Sequence, residues 1–542
     1  MFFIGNRSRK LMPFALAIAG AVCVLAWILV REPRLWGLLR NSLKLAAGTA
    51  AISLPVGTLF GFFLFRTNLA GRTVLLWLII SALFVPLYVY AAAWSAGFGQ
   101  LGWFPLVGDL PRPLLDGWLG AIWVHAMAAI PWVAVIVGIA ALSVDPTLEE
   151  NALLDANALR VFTVVTLPRI LPAVGVAALW ILITTMGEMT VSDIFRIRTY
   201  VEEVFLNYQL DQMTVAPILR PWEDSLDGFS IGIWTQLAVV VWLALAALLL
   251  IATLVPISHV QRQNPAMVFE LRSWRYPATL LVGLLVVLVL AVPLGNLVYK
   301  AGLHYVTDAA GTHGNWTIAR FNANLAAVPE RYGENFYWTA LLAVCAASLA
   351  LLISLPLAWL ARSASFIRSI PAVLFAASGF ALPGPTIGVL LILLLDRPDS
   401  PFMVWLYDRT LFAPAVAIAM RTMPLSILFC WHVMRGVSDI VLDHAKLEGI
   451  GPLRRFFIFG IEQNKLSMLA AWLLALVIAF GDLSASNLVM PPRVDPLQRL
   501  IFGFIHSGVD DQVAILSLSN ILFVLPLIVA FGWLVSRRRN SC

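Results

Sequence analysis

Apolar runs about as long as a bilayer is thick recur along this chain, and no other feature narrows its possible folds as much. A helix needs roughly 20 apolar residues to cross about 30 Å of hydrocarbon, longer than most core helices or strands of a soluble domain. Read against charged or Pro/Gly-rich breaks, the runs fall at roughly 11–30, 42–65, 73–95, 119–141, 170–190, 230–256, 277–299, 336–360, 370–395, 412–434, 466–485 and 514–535. Of the 542 residues, 61% are hydrophobic and 12% charged, and the mean hydropathy is +0.88. A soluble fold has too little interior to hide that much apolar side chain. In lipid the backbone must satisfy its own hydrogen bonds, so the runs are read as helices, and the alternating ten-residue pattern of a β-barrel is absent. The expected fold class is therefore an all-α membrane protein with about 12 transmembrane helices.

Orientation follows from the basic residues. With a cytoplasmic N-terminus, the cytoplasmic segments hold 20 of the 36 Lys and Arg and only nine of the 30 acids. The basic ends, Arg7, Arg9, Lys10 and Arg537, Arg538, Arg539, weigh most, so both termini are expected in the cytoplasm. The formal charge of +6 is thereby explained by membrane orientation, and no nucleic-acid partner is implied. Cys23, Cys345 and Cys430 lie in apolar runs and Cys542 ends the chain, so no disulfide framework is expected, and no metal-ligand spacing is present. The run at 11–30 is long enough to span and is read as a retained helix rather than a cleaved signal.

The chain also repeats. Ser53-Leu54-Pro55 matches Ser354-Leu355-Pro356, Pro86 matches Pro383, Pro131 matches Pro424, and Gly187-Glu188 matches Gly481-Asp482, with offsets drifting from 301 to about 293. Six spans per copy restore the starting side, so the halves, residues 1–256 and 277–542 joined by a cytoplasmic linker at 257–276, are expected to be two parallel six-helix repeats about an axis along the membrane normal.

Two polar loops occupy matching places, Glu149 to Pro168 and Asp443 to Glu462. Asp145-Pro146 is a good helix start, and Ser438 and Asp439 can serve likewise, so each loop is expected to carry a short cytoplasmic helix. The pair resembles the cytoplasmic signature of permeases of binding-protein-dependent ABC importers: Glu-Ala-Ala, three residues, Gly, a spacer, then apolar-x-Leu-Pro. Glu150, Ala152, Asp155, Phe162 and Leu167-Pro168 fit it, with Asn151 in place of an Ala and Ala156 where Gly is usual. The second copy keeps Ala445, Leu447, Glu448 and Gly449 but has Asp443 for Glu and ends in Ile461-Glu462. The likeness extends to the fused, duplicated form of ferric iron and thiamine permeases. It implies an inner (plasma) membrane subunit without cofactors, whose loops, Glu149 included, dock on two cytoplasmic ATP-binding subunits, and an external substrate-binding protein. No Gly-Lys pair occurs, hence no phosphate-binding loop, and ATP hydrolysis is expected in the partner chains.

Charges within spans are costly and therefore candidates for function. Arg421 and His125 lie well inside theirs; Glu188 and Asp482 follow glycines at equivalent span ends and are expected to face one another across the axis. Asp482, Leu483 and Ala485 are similar to a stretch of ferric permeases, which points to iron, with thiamine, a phosphonate or another small solute as alternatives. Glu202, Glu203, Glu223, Asp224 and Asp227 are expected on an outer loop that receives the binding protein. An ion-driven transporter would leave the paired loops unexplained, and seven scattered histidines do not assemble a membrane enzyme.

Overall fold

The computed structural model describes residues 33–100, 102–107, 112–213, 268–308, 311–363, 366–397 and 399–539. The expected spans at 11–30 and 230–256, linker residues 257–267, Cys23 and Cys542 lie outside the described residues. In chain order come α1 (Pro33–Arg66), α2 (Arg72–Ala82), α3 (Leu87–Phe98), α4 (Gly117–Ala141), α5 (Pro146–Asp155), α6 (Ala158–Met186) and α7 (Tyr200–Met213). Then follow α8 (Arg272–Gly302), strands β1 (Leu303–Asp308) and β2 (Gly311–Trp316), and α9 (Ile318–Ala361). The remainder is α10 (Phe366–Ala381), α11 (Gly384–Leu395), α12 (Phe412–Arg435), α13 (Asp439–Leu447), α14 (Pro452–Glu462), α15 (Lys465–Ala479), α16 (Leu497–Ser507) and α17 (Asp510–Arg539).

Among the described residues seven helices are long and apolar enough to cross a membrane, or up to ten if each of three bent pairs counts as one span. The chain is a multi-span helical membrane protein, and ten of the twelve expected spans overlap these elements. Two of the expected spans, 73–95 and 370–395, carry prolines that permit kinks, and both are sharply bent. α2 and α3 meet at 102°, and α10 and α11 at 109°. Pro86 and Pro383 sit at these corners as the N-caps of α3 and α11, with ψ of 143° and 146°, and as prolines they have no amide to donate back to the helix before them. Pro55, Pro131, Pro356 and Pro424, by contrast, stay inside helices.

A second departure from the all-α expectation is the antiparallel hairpin β1–β2, which pairs Leu303 with Trp316 and Asp308 with Gly311. It links α8 to α9, whose 44 residues correspond to ~66 Å, about twice the hydrocarbon thickness. α9 must therefore project well beyond one face.

Helix packing uses small residues as much as large ones. α1 lies along α4 through Gly57 and Gly61, and a β-carbon on Gly61 would stand 2.5 Å from the Ala134 carbonyl oxygen. Only glycine permits that approach, the usual device where helices associate without a hydrophobic gain from water. The C-terminal part of the chain reaches back into the N-terminal part: α8 packs on α3, where Tyr90 donates to the Val289 carbonyl and Trp103 Nε1 to Asn296 Oδ1 at 3.2 Å. α8 begins beside the end of α1, through the Thr67–Phe269 bridge, and α9 runs back from its far end. The ends of α1 and α9 thus share one face, and both short helices α5 and α13 lie there.

Candidate functional site

The first short helix begins as its sequence dictates, with Asp145 accepting the Thr147 amide at 3.0 Å and Pro146 in the first turn. Glu149, expected among the residues of the docking loop and near the positive end of its helix, is fully buried. Its carboxylate pairs with Arg66, from the end of α1, and accepts Thr166 Oγ1 at 2.6 Å; Arg66 also donates to the Ala141 carbonyl at the end of α4. Arg66 lies beneath the loop, and a buried guanidinium requires a paired anion. The resulting clamp joins α1, α4, α5 and the π-helical turn Phe162–Thr166 at the start of α6. The residues left outward are Glu150, Asp155 and Pro168, with Ala152, Ala156 and Leu167 half-buried and Leu154 84% exposed.

The second loop is built differently. Ser438 stands at the N-cap without a side-chain cap bond, and Asp439 forms a solvent-exposed pair with Arg362 at 3.2 Å, a contact worth little. Asp443 is exposed and bonds Lys446 at 2.5 Å, and the hydrogen bond from that ammonium lowers its pKa. Ala445 is buried, while Glu448 and Gly449 are exposed. Gly449 has φ +78° just past α13, the left-handed position that glycine favours after a helix. In place of a buried acid, Gly460 of α14 rests against Trp359, which meets Phe456 edge-on. Leu447 is 85% and Leu453 73% exposed, against Leu154 84% and Leu159 72% in the first loop, so each loop presents two largely bare leucines.

At the bends, one cavity of about 280 Å³ is lined by both parts of the chain. His125, Glu188, Arg421 and Asp482 all line it. Both acids cap the turn that follows them: Glu188 accepts the amides of Thr190 at 2.7 Å and Val191 at 2.9 Å, and Asp482 accepts those of Ala485 and Ser486. Arg421 stands 3.9 Å from Asp482, donates to the Leu382 carbonyl at 3.2 Å, and acts electrostatically on Glu188 as well. Asp482 Oδ2 and His125 Nε2 are buried without a hydrogen-bond partner among the described residues. The glycine before each acid lies against the corner proline of the other part, Gly187 near Pro383 and Gly481 near Pro86.

Charge scanning did not reveal the aromatic wall of this cavity. Trp132 and Trp180 lie 4.8 Å apart, and Phe380 meets Trp180 edge-on at 5.3 Å; in the sequence they look like any other apolar residue of a span. Glu202 and Glu203, expected as solvated docking acids, are buried, and Glu203 pairs with Arg34 and with Arg198 at 3.2 Å. Glu223, Asp224 and Asp227, expected on the same loop, lie outside the described residues.

Membrane-crossing helices, bent at prolines around a polar cavity, thus carry two short helices on one face, and comparison with known proteins finds distant relatives. The chain is 27% identical over 162 residues to the molybdenum transport system permease protein ModB of Escherichia coli strain K12, covering 28% of this chain and 68% of that protein. To the putrescine transport system permease protein PotI of the same strain it is 23% identical over 107 residues, covering 20% of this chain and 36% of that protein. The chain thus spans little more than a third of PotI. No family model matches. Both relatives are named as permease proteins of transport systems.

Proposed function

We propose that this chain is the inner-membrane permease of an ABC importer, with two homologous halves fused in one polypeptide. In this reading α5 and α13 face the cytoplasm and each docks one ATP-binding subunit, while a soluble binding protein delivers solute to the opposite face. The matching order of elements supports the duplication: a long helix (α1, α9), a pair bent at proline, a proline-bearing helix (α4, α12), a short surface helix (α5, α13), and a helix entered through π-helical backbone (α6, α14–α15). The observation that carries the function is the placement of two short helices on one face, each with a leucine about 85% exposed, in a protein whose two parts share one cavity. Partners that bind these helices better in one conformation than another shift an inward-open to outward-open equilibrium by that difference in affinity.

The test is substrate-stimulated ATP hydrolysis by the reconstituted complex. Glu150→Arg and Asp443→Arg place the wrong charge on exposed loop positions and are expected to uncouple it; undiminished hydrolysis in both would remove the docking assignment. The cargo is a small solute; the stretch Gly481 to Asp495, taken by its sequence alone, points to ferric iron, and the cavity that Asp482 lines is the place to decide it. The two relatives are named for different cargoes, putrescine and molybdenum, so their likeness leaves the choice to the cavity.

A further inference from the structure

We propose that the cavity between the proline corners binds a small organic ammonium ion, an assignment that rests on the importer reading and narrows its cargo class. Three properties of the wall converge. The first is charge: two carboxylates, Glu188 and Asp482, face one guanidinium, Arg421. That guanidinium is engaged by Asp482 and by the Leu382 carbonyl, so the excess of formal charge around the space is negative. An anion meets two carboxylates and one occupied cation; a monocation restores neutrality.

The second property is hydrogen bonding. Asp482 has only 7% of its side chain exposed, and its Oδ2 accepts nothing among the described residues. His125, 4% exposed, has an unpartnered Nε2. A buried carboxylate oxygen of this kind is rare unless something supplies the donor, and the His125 nitrogen joins it as an acceptor in the tautomer that carries its proton on Nδ1. An ammonium group carries donors and no acceptor, and so complements them. The third property is the aromatic wall of Trp132, Trp180 and Phe380. Such faces attract a desolvated cation through their quadrupole and also cover an aliphatic stem.

The same features argue against a chelated metal. Hard cations take about six oxygen ligands, yet both oxygens of Glu188 already accept amides, and Arg421 opposes further positive charge of high density. At about 280 Å³ the space lies just below the ~300–1,000 Å³ usual for small-molecule sites, which fits a cation with a short carbon chain.

The experiment uses the full chain in lipid nanodiscs without any ATPase, and follows quenching of tryptophan fluorescence and calorimetric heat with an isosteric series: n-butylammonium, n-butanol and butyrate, with ferric citrate as the metal arm. Butylammonium is expected to bind best, and Asp482→Asn and Glu188→Gln each to weaken it by roughly tenfold or more, the scale of a lost charge-assisted hydrogen bond. Asp408→Asn, remote from the cavity, is the control. Equal affinity across the series, preference for butyrate or ferric citrate, or full affinity in both cavity variants would overturn the proposal. If the variants do not fold, selectivity of the unaltered protein decides. Loss of ATP-coupled uptake with retained butylammonium binding would remove the importer reading and leave this site standing.

Discussion

Removing Glu149 from the clamp beneath α5 tests how the first loop is held. Both partners of the Arg66–Glu149 pair are fully buried, so Glu149→Ala removes the anion paired with a guanidinium that also donates to the Ala141 carbonyl and lies 5.7 Å from the Phe269 ring. Breaking one side of a buried pair costs about 3–5 kcal/mol, because the surviving charge is uncompensated. The Thr166 hydroxyl loses its acceptor too, adding about 1 kcal/mol. At 1.4 kcal/mol per factor of ten, these losses together should raise the opening equilibrium of α5 by roughly 10³ to 10⁴. Hydrogen–deuterium exchange of the amides in Pro146–Asp155 and Phe162–Thr166 reads this directly, with α13 as internal reference. The double variant Arg66→Met, Glu149→Leu removes both charges and should recover most of the protection, since apolar replacement of a buried pair is close to neutral. Unchanged exchange in Glu149→Ala, or a double variant no better than the single, would refute the reasoning.

Gly449→Ala should destabilise the second loop by about 1 kcal/mol, because φ +78° is strained for any β-carbon. Ala156, with φ −143°, should tolerate bulkier residues, and exchange rates of the two loops distinguish the cases. Gly61→Leu has no room beside Ala134 and should lower the thermal midpoint in nanodiscs, as overpacking costs about 1–3 kcal/mol or more; an unchanged midpoint would contradict the α1–α4 contact. His506 bonds Asp193 at 2.8 Å, which raises its pKa above the usual 6.5. Its contribution is therefore full below the unfolded value and lost as pH rises through the folded one. His506→Asn should cost on the order of 1 kcal/mol or less at pH 5.5 and almost nothing at pH 9, a difference that thermal melts at the two pH values resolve. Leu154→Asp and Leu447→Asp, at bare surface positions, should leave thermal stability intact while abolishing capture of the cognate ATPase; retained capture by both would count against docking at the loop tips.

Span positions were readable in the sequence because apolar length is dictated by the bilayer and depends on no partner. The cavity acids were readable too: Glu188 and Asp482 each follow a glycine at the end of a run, and charge is conspicuous in lipid. The corners at Pro86 and Pro383 were not separable from Pro55 or Pro424, since whether a proline kinks a helix or ends it depends on what packs against the freed backbone. The inward turn of Glu149 was hidden for a similar reason. Arg66 counted in the sequence as one more basic residue of a loop, and only tertiary placement reveals that it lies under α5. The wall of Trp132, Trp180 and Phe380 comes from three helices far apart in the chain and has no local signature. The hairpin β1–β2 was passed over because its fourteen residues, from Leu303 to Trp316, lie in a polar stretch read as loop.

The crossed contacts of Gly187 with Pro383 and Gly481 with Pro86 carry a mechanical consequence. Each corner stands beside the stretch of chain that holds the opposite acid, so the position of each acid is tied to the bend in the other part of the chain rather than to the bend in its own.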